Sequence, residues 1–208
     1  YAVERQDYSL WLAVAYNPHT PSALLENLAR KSRSQDRELI RAIAAHQQTP
    51  THLFAEIADI GGNVAQIVAE NPRTPVSVLA KILCKYGQIK DPTFTTLVAL
   101  HPHLTARLLL EMHLAPDESA AQSLWLAKQQ ETASARLGEL AETDWNVLRL
   151  AVVRHPQTAG MTIDRIWHDM SGVDTNSSQM ERLIYDSFVN NPNTSAPLRE
   201  ELRKLLKW

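Results

Sequence analysis

A five-residue phrase that returns seven times constrains the fold of this 208-residue chain more than any other feature. It is clearest at residues 17–21 (Asn-Pro-His-Thr-Pro) and 71–75 (Asn-Pro-Arg-Thr-Pro). Weaker copies begin at His46, His101, Gln129, His155 and Asn191. Successive copies therefore start 29, 25, 30, 28, 26 and 36 residues apart. A period of this length is typical of stacked repeats, in which each repeat packs mainly against its neighbours.

Apolar residues recur at fixed distances on both sides of the phrase. Seven residues before it stand Leu10, Leu39, Val64, Phe94, Gln122, Leu148 and Ile184. Four residues before it stand Ala13, Ala42, Ile67, Leu97, Trp125, Ala151 and Ser187. Two further columns follow it, of which one holds Leu25, Phe54, Leu79, Leu109, Leu137, Ile163 and Arg199, and the other Leu28, Ile57, Ile82, Met112, Leu140, Ile166 and Leu202. Spacings of three and four residues mark one face of a helix, so each phrase should separate two amphipathic helices. The prediction is an all-α solenoid of about seven two-helix repeats, in a single domain over residues 1–208.

The phrase itself predicts that one helix stops and another starts. Proline in the second place, as at Pro18 and Pro72, lacks an N–H and disfavours the α conformation of the preceding residue, so the first helix should end there. Threonine in the fourth place, as at Thr20 and Thr74, is expected to accept a hydrogen bond from the N–H groups that open the second helix. Proline directly after it suits the first helical position, where a missing donor costs nothing.

These residues resemble the leucine-rich repeat variant family, whose repeats run approximately apolar-Ala-x-Asn-Pro-x-Thr-Pro-x-x-Leu-Leu-x-x-Leu-Ala. Residues 14–29 and 68–79 are similar to this pattern, and the resemblance covers about residues 10 to 205. It implies a right-handed superhelix of paired helices, some of them short or 3₁₀, and a protein-interaction scaffold without a common enzymatic activity. Some family members hold an iron–sulfur cluster in a cysteine-rich segment. Cys84 stands alone in this sequence, so no cofactor is predicted.

Composition agrees with a helical protein of the cytoplasm. Hydrophobic residues make up 44% of the chain, and it contains only 6 glycines. A net charge of −2 argues against a dedicated binder of nucleic acid or membrane surfaces. One cysteine is compatible with a reducing compartment, and no apolar run approaches the roughly 18 residues that span a bilayer. The chain opens on Tyr1 in what reads as an incomplete repeat, as expected of a piece of a longer protein.

The first and third places of the phrase hold candidates for an interaction surface. The first place is His or Asn in six of the seven repeats and should form a ladder along one ridge. The ladder could be a polar recognition track, but the favoured interpretation is that these side chains close each turn by bonding to local backbone. The third place varies freely, which argues against a recognition ridge, and His19, Arg73 and His103 are the candidates in this place for contact with a partner protein. The pair His101 and His103 lacks the spacing of a metal site, so no metal is predicted.

A basic cluster supplies the alternative function. It consists of Arg30, Lys31, Arg33, Arg37 and Arg41, with Asp36 and Glu38 among them. Helical repeats can hold nucleic acid on a basic face, so a nucleic-acid-binding or DNA-repair protein is the alternative to the scaffold. Aromatic and acidic residues that could contribute are Trp11, Trp125, Trp145, Trp167, Asp144 and Asp164. The favoured interpretation is a solvated, salt-bridged face, which leaves another protein as the predicted partner.

Common catalytic motifs are absent from the sequence. It has no Gly-rich phosphate loop, no G-x-S-x-G elbow, no H-E-x-x-H helix and no C-x-x-C pair. We therefore predict no catalytic, cofactor-binding or metal-binding residue, and expect Gly61-Gly62 to open a helix. Segments 85–91, 114–119 and 171–178 interrupt the regular spacing and are interpreted as surface insertions.

Overall fold

A computed structural model describes residues 2–32, 36–87, 92–170 and 177–205, and these residues form α-helices joined by turns. Arg33 of the basic cluster and most of the predicted insertions at 85–91 and 171–178 lie outside the described residues. The helices are α1 (Ala2–Tyr16), α2 (Ser22–Lys31), α3 (Arg37–Ala45), α4 (Leu53–Asp59), α5 (Asn63–Glu70), α6 (Val76–Tyr86), α7 (Thr93–Ala99), α8 (Ala106–Glu111), α9 (Glu118–Ala127), α10 (Ser134–Leu140), α11 (Asn146–Arg154), α12 (Gly160–Met170), α13 (Ser178–Asn190) and α14 (Ala196–Leu205).

The helices form seven pairs, and each copy of the phrase lies between the two helices of a pair. We number these pairs, with their turns, as repeats 1 to 7. The predicted all-helical, repeated character is therefore confirmed. Within the described residues every helix is α rather than 3₁₀, although several are short, down to the six residues of α8.

The predicted apolar columns supply most of the core. Leu25, Phe54, Leu79, Leu109, Leu137 and Ile163 are fully buried in their column, and Leu140, Ile166 and Leu202 are buried in the next. The columns fail at a few places. Leu10 and Gln122 are exposed, and Met112 and Trp125 are only partly buried. Most residues of the second-helix columns are therefore buried, and removal of their apolar side chains from water stabilises the fold.

The prediction that threonine caps the second helix is wrong. The hydroxyl of Thr20 donates instead to the carbonyl oxygen of Val14 at 2.5 Å, in the last turn of the first helix. Thr74 donates to Val68 at the same distance, and no side chain caps α2 or α6. Four more threonines make the same bond six residues back: Thr49, Thr132, Thr158 and Thr194. The last carbonyl groups of a helix have no i+4 partner within that helix, and the threonine hydroxyl bonds to one of them.

The proline after the threonine also lies one residue earlier than predicted. Pro21 and Pro75 occupy the N-cap positions of α2 and α6, with φ of −63° and extended ψ. Their carbonyl oxygens accept the first hydrogen bonds of the second helix, from Leu25 and Leu79. The proline ring still fixes φ near the value that the turn requires. Proline therefore contributes by restricting the backbone, and not by lacking an N–H group.

Repeats 2 and 3 follow each other with a link of only three residues, 60–62. Gly61 and Gly62 both have positive φ, at +82° and +54°, and Gly62 is the N-cap of α5. A Cβ on Gly61 would lie 2.9 Å from the hydroxyl of Tyr86, so both the backbone conformation and the available space favour glycine there. The expectation that this pair opens a helix is confirmed.

The chain divides into two compact units, Tyr1–Gln88 and Ile89–Trp208. We call them the N-terminal unit, which holds repeats 1 to 3, and the C-terminal unit, which holds repeats 4 to 7. In the N-terminal unit α3 packs on both α1 and α5, so the first helices of successive repeats lie against one another. In the C-terminal unit α11 packs on α9 and α13, and α13 also contacts α7 of repeat 4. The contact between α13 and α7 joins repeats 7 and 4, which are not neighbours along the chain. The single-domain organisation stays a prediction.

Candidate interaction surface along the turns

The first residue of the phrase links its repeat to the preceding one. In repeat 2, Nε2 of His46 lies 2.8 Å from the carbonyl oxygen of Asn17, while Nδ1 accepts from the backbone N–H of Gln48. These two bonds together require the tautomer with its proton on Nε2. In repeat 3, the side-chain amide of Asn71 donates to the carbonyl oxygens of Ala44 at 2.8 Å and His46 at 3.2 Å. Both side chains are buried, so they hold the stack together and are not accessible to a partner.

The C-terminal unit repeats this arrangement. Nε2 of His155 lies 2.9 Å from the carbonyl oxygen of Gln129. Asn191 donates its amide to the carbonyl oxygens of Val153 and His155, at 2.5 and 2.9 Å. Both residues also accept a local hydrogen bond from the N–H two residues later, as Asn71 does. The favoured interpretation of the ladder, closure of the turn by local bonds, is confirmed, and the bond to the preceding repeat is an additional role. We refer to these cross-repeat bonds as the turn ladder.

Repeat 5 makes the ladder contact with a different residue. Its first-place residue, Gln129, folds back onto the carbonyl oxygen of Trp125 in its own helix. The preceding residue, Lys128, reaches repeat 4 instead. Its Nζ donates three hydrogen bonds of 3.0 Å to the carbonyl oxygens of Ala99, His101 and Leu104. Ala99 and His101 hold the same places in repeat 4 that Ala44 and His46 hold in repeat 2, so the lysine replaces the missing asparagine amide.

Burial of its ammonium group lowers the pKa of Lys128 to about 8. The group is nevertheless mostly protonated at neutral pH. A protonated amine has three N–H donors, which matches the three carbonyl oxygens around it. The enclosed ammonium group is therefore a structural link, and its N–H groups donate to backbone carbonyl oxygens rather than to another titratable side chain.

At repeat 7 the turn carbonyls bond to a residue of the same repeat, Arg199. Its Nη2 donates to the carbonyl oxygens of Asn191 at 2.8 Å, Pro192 at 3.2 Å and Thr194 at 3.3 Å, all in its own turn. The corresponding carbonyls of repeat 4, on His101 and Leu104, are those that bond to Lys128. In repeat 7 the donor to the turn carbonyls thus belongs to the same repeat. In repeat 4 the donor is Lys128 of the following repeat.

The third place of the phrase is exposed in every repeat. Its residues differ in charge and size: His19, Gln48, Arg73, His103, Glu131, Gln157 and Asn193. Two of them also contact the preceding turn, since Arg73 donates to the carbonyl oxygen of Gln47 at 2.8 Å and Asn193 to that of Pro156 at 2.8 Å. We call this exposed row the turn ridge, described separately in the two units. It combines a fixed backbone with variable side chains, which suits a binding surface.

A shallow apolar cleft of about 170 Å³ borders the ridge in the C-terminal unit. Pro102, Gln130 and Pro156, the second-place residues of repeats 4 to 6, line it together with Ala127 and Ala151. Lys128 and His155 of the ladder also line it. A cleft with apolar walls beside exposed polar side chains can bury a side chain of a partner protein.

The predicted basic cluster is exposed where the structure describes it. Arg30 pairs with Glu26 of the same helix at 2.6 Å, and Lys31 ends α2. Arg37 and Arg41 lie four residues apart on α3 and are both exposed, with Glu38 between them. The structure thus places four of the five basic residues at the surface, one of them neutralised by a carboxylate.

Three of the aromatic and acidic candidates for nucleic-acid binding, Trp167, Asp164 and Asp144, have contacts within the protein. Trp167 packs edge-on against Phe188, with ring centroids 5.3 Å apart, and Asp164 accepts from the hydroxyl of Ser195. Asp144 lies 3.7 Å from Arg149, which is itself within 3.8 Å of Asp169. These residues contribute to packing and surface ion pairs in the C-terminal unit.

The two histidines of repeat 4 contact each other through their rings. The rings of His101 and His103 meet edge to face with centroids 5.2 Å apart. No group of three or more His, Cys, Asp or Glu side chains that could hold a metal ion occurs in the part of the chain that the structure describes.

Sequence reasoning missed Lys128 and Arg199. Each stands where the repeat departs from its pattern, Arg199 in an otherwise apolar column and Lys128 before the long amide of Gln129. The irregularity is visible in the sequence, but the carbonyl oxygens that lie near these two side chains are determined by the packing of the repeats.

Comparison with models of known protein families, with curated proteins and with solved structures finds no match to this chain. Of the helices in the described residues, none combines the length and the apolar composition needed to cross a bilayer.

Proposed function

We propose that the protein is a helical-repeat scaffold that binds another protein through the turn ridge. The observation that carries this proposal is that residues in different places of the phrase differ in burial and in their contacts. In repeats 2, 3, 6 and 7 the first-place side chains are buried and bond to the preceding repeat, while the third-place side chains are exposed in every repeat and differ from one repeat to the next. The same proposal includes a relationship to leucine-rich repeat variants, a right-handed superhelix and a location in the cytoplasm.

Binding by such a surface depends on preorganisation. The ladder fixes the backbone of each turn before a partner arrives, so little conformational entropy is lost on association. His19 and Arg73 of the N-terminal unit and His103 of the C-terminal unit then present imidazole rings and a guanidinium group to a partner, and arginine is among the residue types enriched in protein interfaces. The cleft between Pro102 and Pro156 is the place for an apolar anchor of the partner.

Photo-crosslinking in cells tests this proposal. A photoreactive amino acid replaces Gln48 or Gln157, whose side chains are exposed on the ridge, or the exposed second-helix residues Ser77 or Ala135 as matched controls. We expect one discrete protein to be captured from the ridge positions and not from the controls. The triple variant His19→Ala, Arg73→Ala, His103→Ala should then weaken binding of that purified protein by about tenfold or more. Equal capture from ridge and control positions, or none from the ridge, would contradict the proposal.

Nucleic-acid binding is the second candidate, and it depends on Arg37 and Arg41. The two side chains are exposed on one helix at a spacing that puts them on the same face. Against it stand the Arg30–Glu26 pair and the net charge of −2. Fluorescence anisotropy with a labelled DNA duplex at about 50 mM salt decides, because phosphate contacts give a steep salt dependence. Binding that Arg37→Glu with Arg41→Glu abolishes would favour this candidate, and absence of binding eliminates it.

A further inference from the structure

The apolar cleft of the C-terminal unit lies where repeat 5 departs twice from the phrase. The first place of repeat 5 is Gln129, whose side-chain amide folds back onto the carbonyl oxygen of Trp125. The second place is Gln130, where repeats 4 and 6 have Pro102 and Pro156. All three second-place residues are exposed and line the cleft. The cleft therefore spans three successive turns, and a partner can reach the side chains around it.

The base of the cleft is apolar. Leu100, Ala127 and Ala151 line it and are 8%, 1% and 3% exposed. Its volume of about 170 Å³ is below the roughly 300–1,000 Å³ of pockets that hold drug-sized ligands. The cleft therefore suits one large apolar side chain of a partner rather than a complete small molecule.

The titratable side chains that line the cleft are basic. They are Lys128, Arg154 and His155, and none of the described residues that line it is Asp or Glu. In the ring of His155, Nε2 donates to the carbonyl oxygen of Gln129 and Nδ1 accepts from the backbone N–H of Gln157, which is the arrangement of a neutral imidazole. The positive charge at the cleft is therefore that of the lysine and the arginine.

Lys128 and Arg154 differ in what they offer a partner. Nζ of Lys128 already donates to three carbonyl oxygens, so this residue contributes its charge. Arg154 is exposed, and its Nε donates to the hydroxyl of Ser187 at 2.9 Å, which orients the guanidinium group. Guanidinium groups commonly bind carboxylates through two parallel N–H bonds, and a second cation nearby favours the same ligand. Glu131 is exposed on the turn ridge but does not line the cleft, so Arg154 is the residue that a partner carboxylate would contact.

We infer that this cleft selects a partner segment in which a large apolar residue is adjacent to Asp or Glu. The apolar side chain enters between Pro102 and Pro156, and the carboxylate contacts Arg154. Charge complementarity beside an apolar anchor mainly determines which partner is accepted, because like charges repel. The inference rests on the proposed function, since it specifies the chemistry of the protein that the turn ridge binds.

Short synthetic peptides test the inference on the full chain. Each peptide carries a central tripeptide in a glycine–serine frame, and the three tripeptides are Asp-Phe-Asp, Lys-Phe-Lys and Asp-Ala-Asp. They are titrated into isotope-labelled protein and followed by NMR. The shifts of the backbone amides of Lys128, Gln130 and Arg154 give a dissociation constant for the cleft.

Matched variants test the charge of the cleft. Gln130→Glu places a carboxylate at an exposed position that lines it. Gln122→Glu makes the same change at an exposed position of repeat 5 that does not line it. Arg154→Gln removes the guanidinium group and keeps a polar side chain. The amide spectrum of each variant shows whether the fold is retained.

We expect Asp-Phe-Asp to bind the cleft about fivefold more tightly than Lys-Phe-Lys, since an exposed charge pair changes affinity by up to about that factor. Asp-Ala-Asp should bind more weakly than Asp-Phe-Asp because it lacks the apolar anchor. Gln130→Glu should reverse the preference between the two phenylalanine peptides, and Gln122→Glu should retain it. Arg154→Gln should remove most of the preference.

Equal binding of Asp-Phe-Asp and Lys-Phe-Lys to the wild-type protein, or tighter binding of the latter, would overturn the inference. Absence of any peptide-induced shift at the cleft, or a preference that Gln130→Glu leaves unchanged, would do the same. The peptides report on the cleft independently of the natural partner. Capture of a protein from the ridge positions without a peptide preference therefore overturns only the inference, whereas the expected preference without capture contradicts only the proposed function.

Discussion

Asn71 and Ala44, 27 residues apart in the chain, are joined by a hydrogen bond of 2.8 Å from the asparagine side-chain amide to the alanine carbonyl oxygen. The bond ties the turn of repeat 3 to the end of the first helix in repeat 2. Carbonyl groups at a helix end have no partner within the helix, so a side chain from the next repeat satisfies them. The same side-chain hydrogen bond therefore joins two successive repeats and satisfies a carbonyl group at a helix end.

Replacing Asn71 with alanine tests the ladder directly. The change removes two cross-repeat donors and leaves the carbonyl oxygens of Ala44 and His46 buried without them, which should cost about 1–3 kcal/mol of unfolding free energy. Asn17→Ala is the matched control, since the same amino acid in the same place of repeat 1 makes only a local bond. Urea denaturation measures both, and similar losses for the two variants would contradict the ladder.

The threonine of the phrase allows a test that separates its two possible roles. Thr74 is buried and donates to Val68, so Thr74→Val should cost about 0.5–1.5 kcal/mol through the lost hydrogen bond. Aspartate is among the best N-cap residues but is an acceptor, and at this position it faces a carbonyl oxygen. Thr74→Asp should therefore destabilise more than Thr74→Val in chemical denaturation. A Thr74→Asp variant as stable as wild type would restore the capping interpretation.

Periodicity alone was sufficient to predict the helix pairs and most of the core. The spacing places Leu25, Leu79 and Ile163 in one column, and all three are fully buried. Proline and spacing act over a few residues, so their effects can be derived from the sequence. The direction of the Thr20 hydroxyl could not, because an N-cap and a bond to the preceding helix use the same residue with different χ1.

The candidate surface was predictable only in part. The exposure of His19, Arg73 and His103 agrees with their place in the phrase. The roles of Lys128 and Arg199 depend on contacts between residues 5 to 29 positions apart, which no local pattern encodes. The exposure of Leu10 could not be predicted either, since Leu10 fits its column as well as Leu39 does and differs only in what lies beside it.

At position 199 we expect leucine, which fits the apolar column, to give a less stable protein than the arginine that is present. Arg199→Leu fills the column but removes the donor to the carbonyl oxygens of Asn191, Pro192 and Thr194, and we expect a net loss of about 1–3 kcal/mol. Exposed Arg203 on the same helix is the control, and Arg203→Leu should stay within about 0.5 kcal/mol of wild type. Thermal melts with hydrogen exchange in α14 measure the effect. An Arg199→Leu protein as stable as wild type would show that the arginine contributes nothing to the turn.

Lys128 should be replaceable by the residue type that other repeats use. Lys128→Ala leaves three carbonyl oxygens of repeat 4 without their donor and should lower the urea midpoint clearly. Adding Gln129→Asn places a short amide in the first place of repeat 5, as in repeats 3 and 7. The double variant should therefore regain part of the lost stability, and Gln129→Asn alone should have little effect. Absence of any recovery would mean that the backbone of repeat 5 differs from that of the asparagine repeats.

The pKa of Lys128 also predicts how stability depends on pH. It is about 8 in the folded chain, against 10.5 for an unperturbed lysine, because burial disfavours the charged form. Between these two values the unfolded chain binds more protons at this residue than the folded chain does. The contribution of Lys128 to the free energy of unfolding is therefore constant below about pH 8 and rises with pH from there to about 10.5.

Lys128→Met isolates this contribution from other groups that titrate in the same range. The difference in unfolding free energy between wild type and Lys128→Met should be flat from about pH 6 to 7.5 and should shift in favour of wild type between about pH 8 and 10. Exposed Lys31→Met is the control and should show no such shift. Urea titrations at each pH give the differences. A wild-type advantage that falls as pH rises through this window would mean that the three carbonyl oxygens hold the ammonium charged and that its pKa in the folded chain is raised.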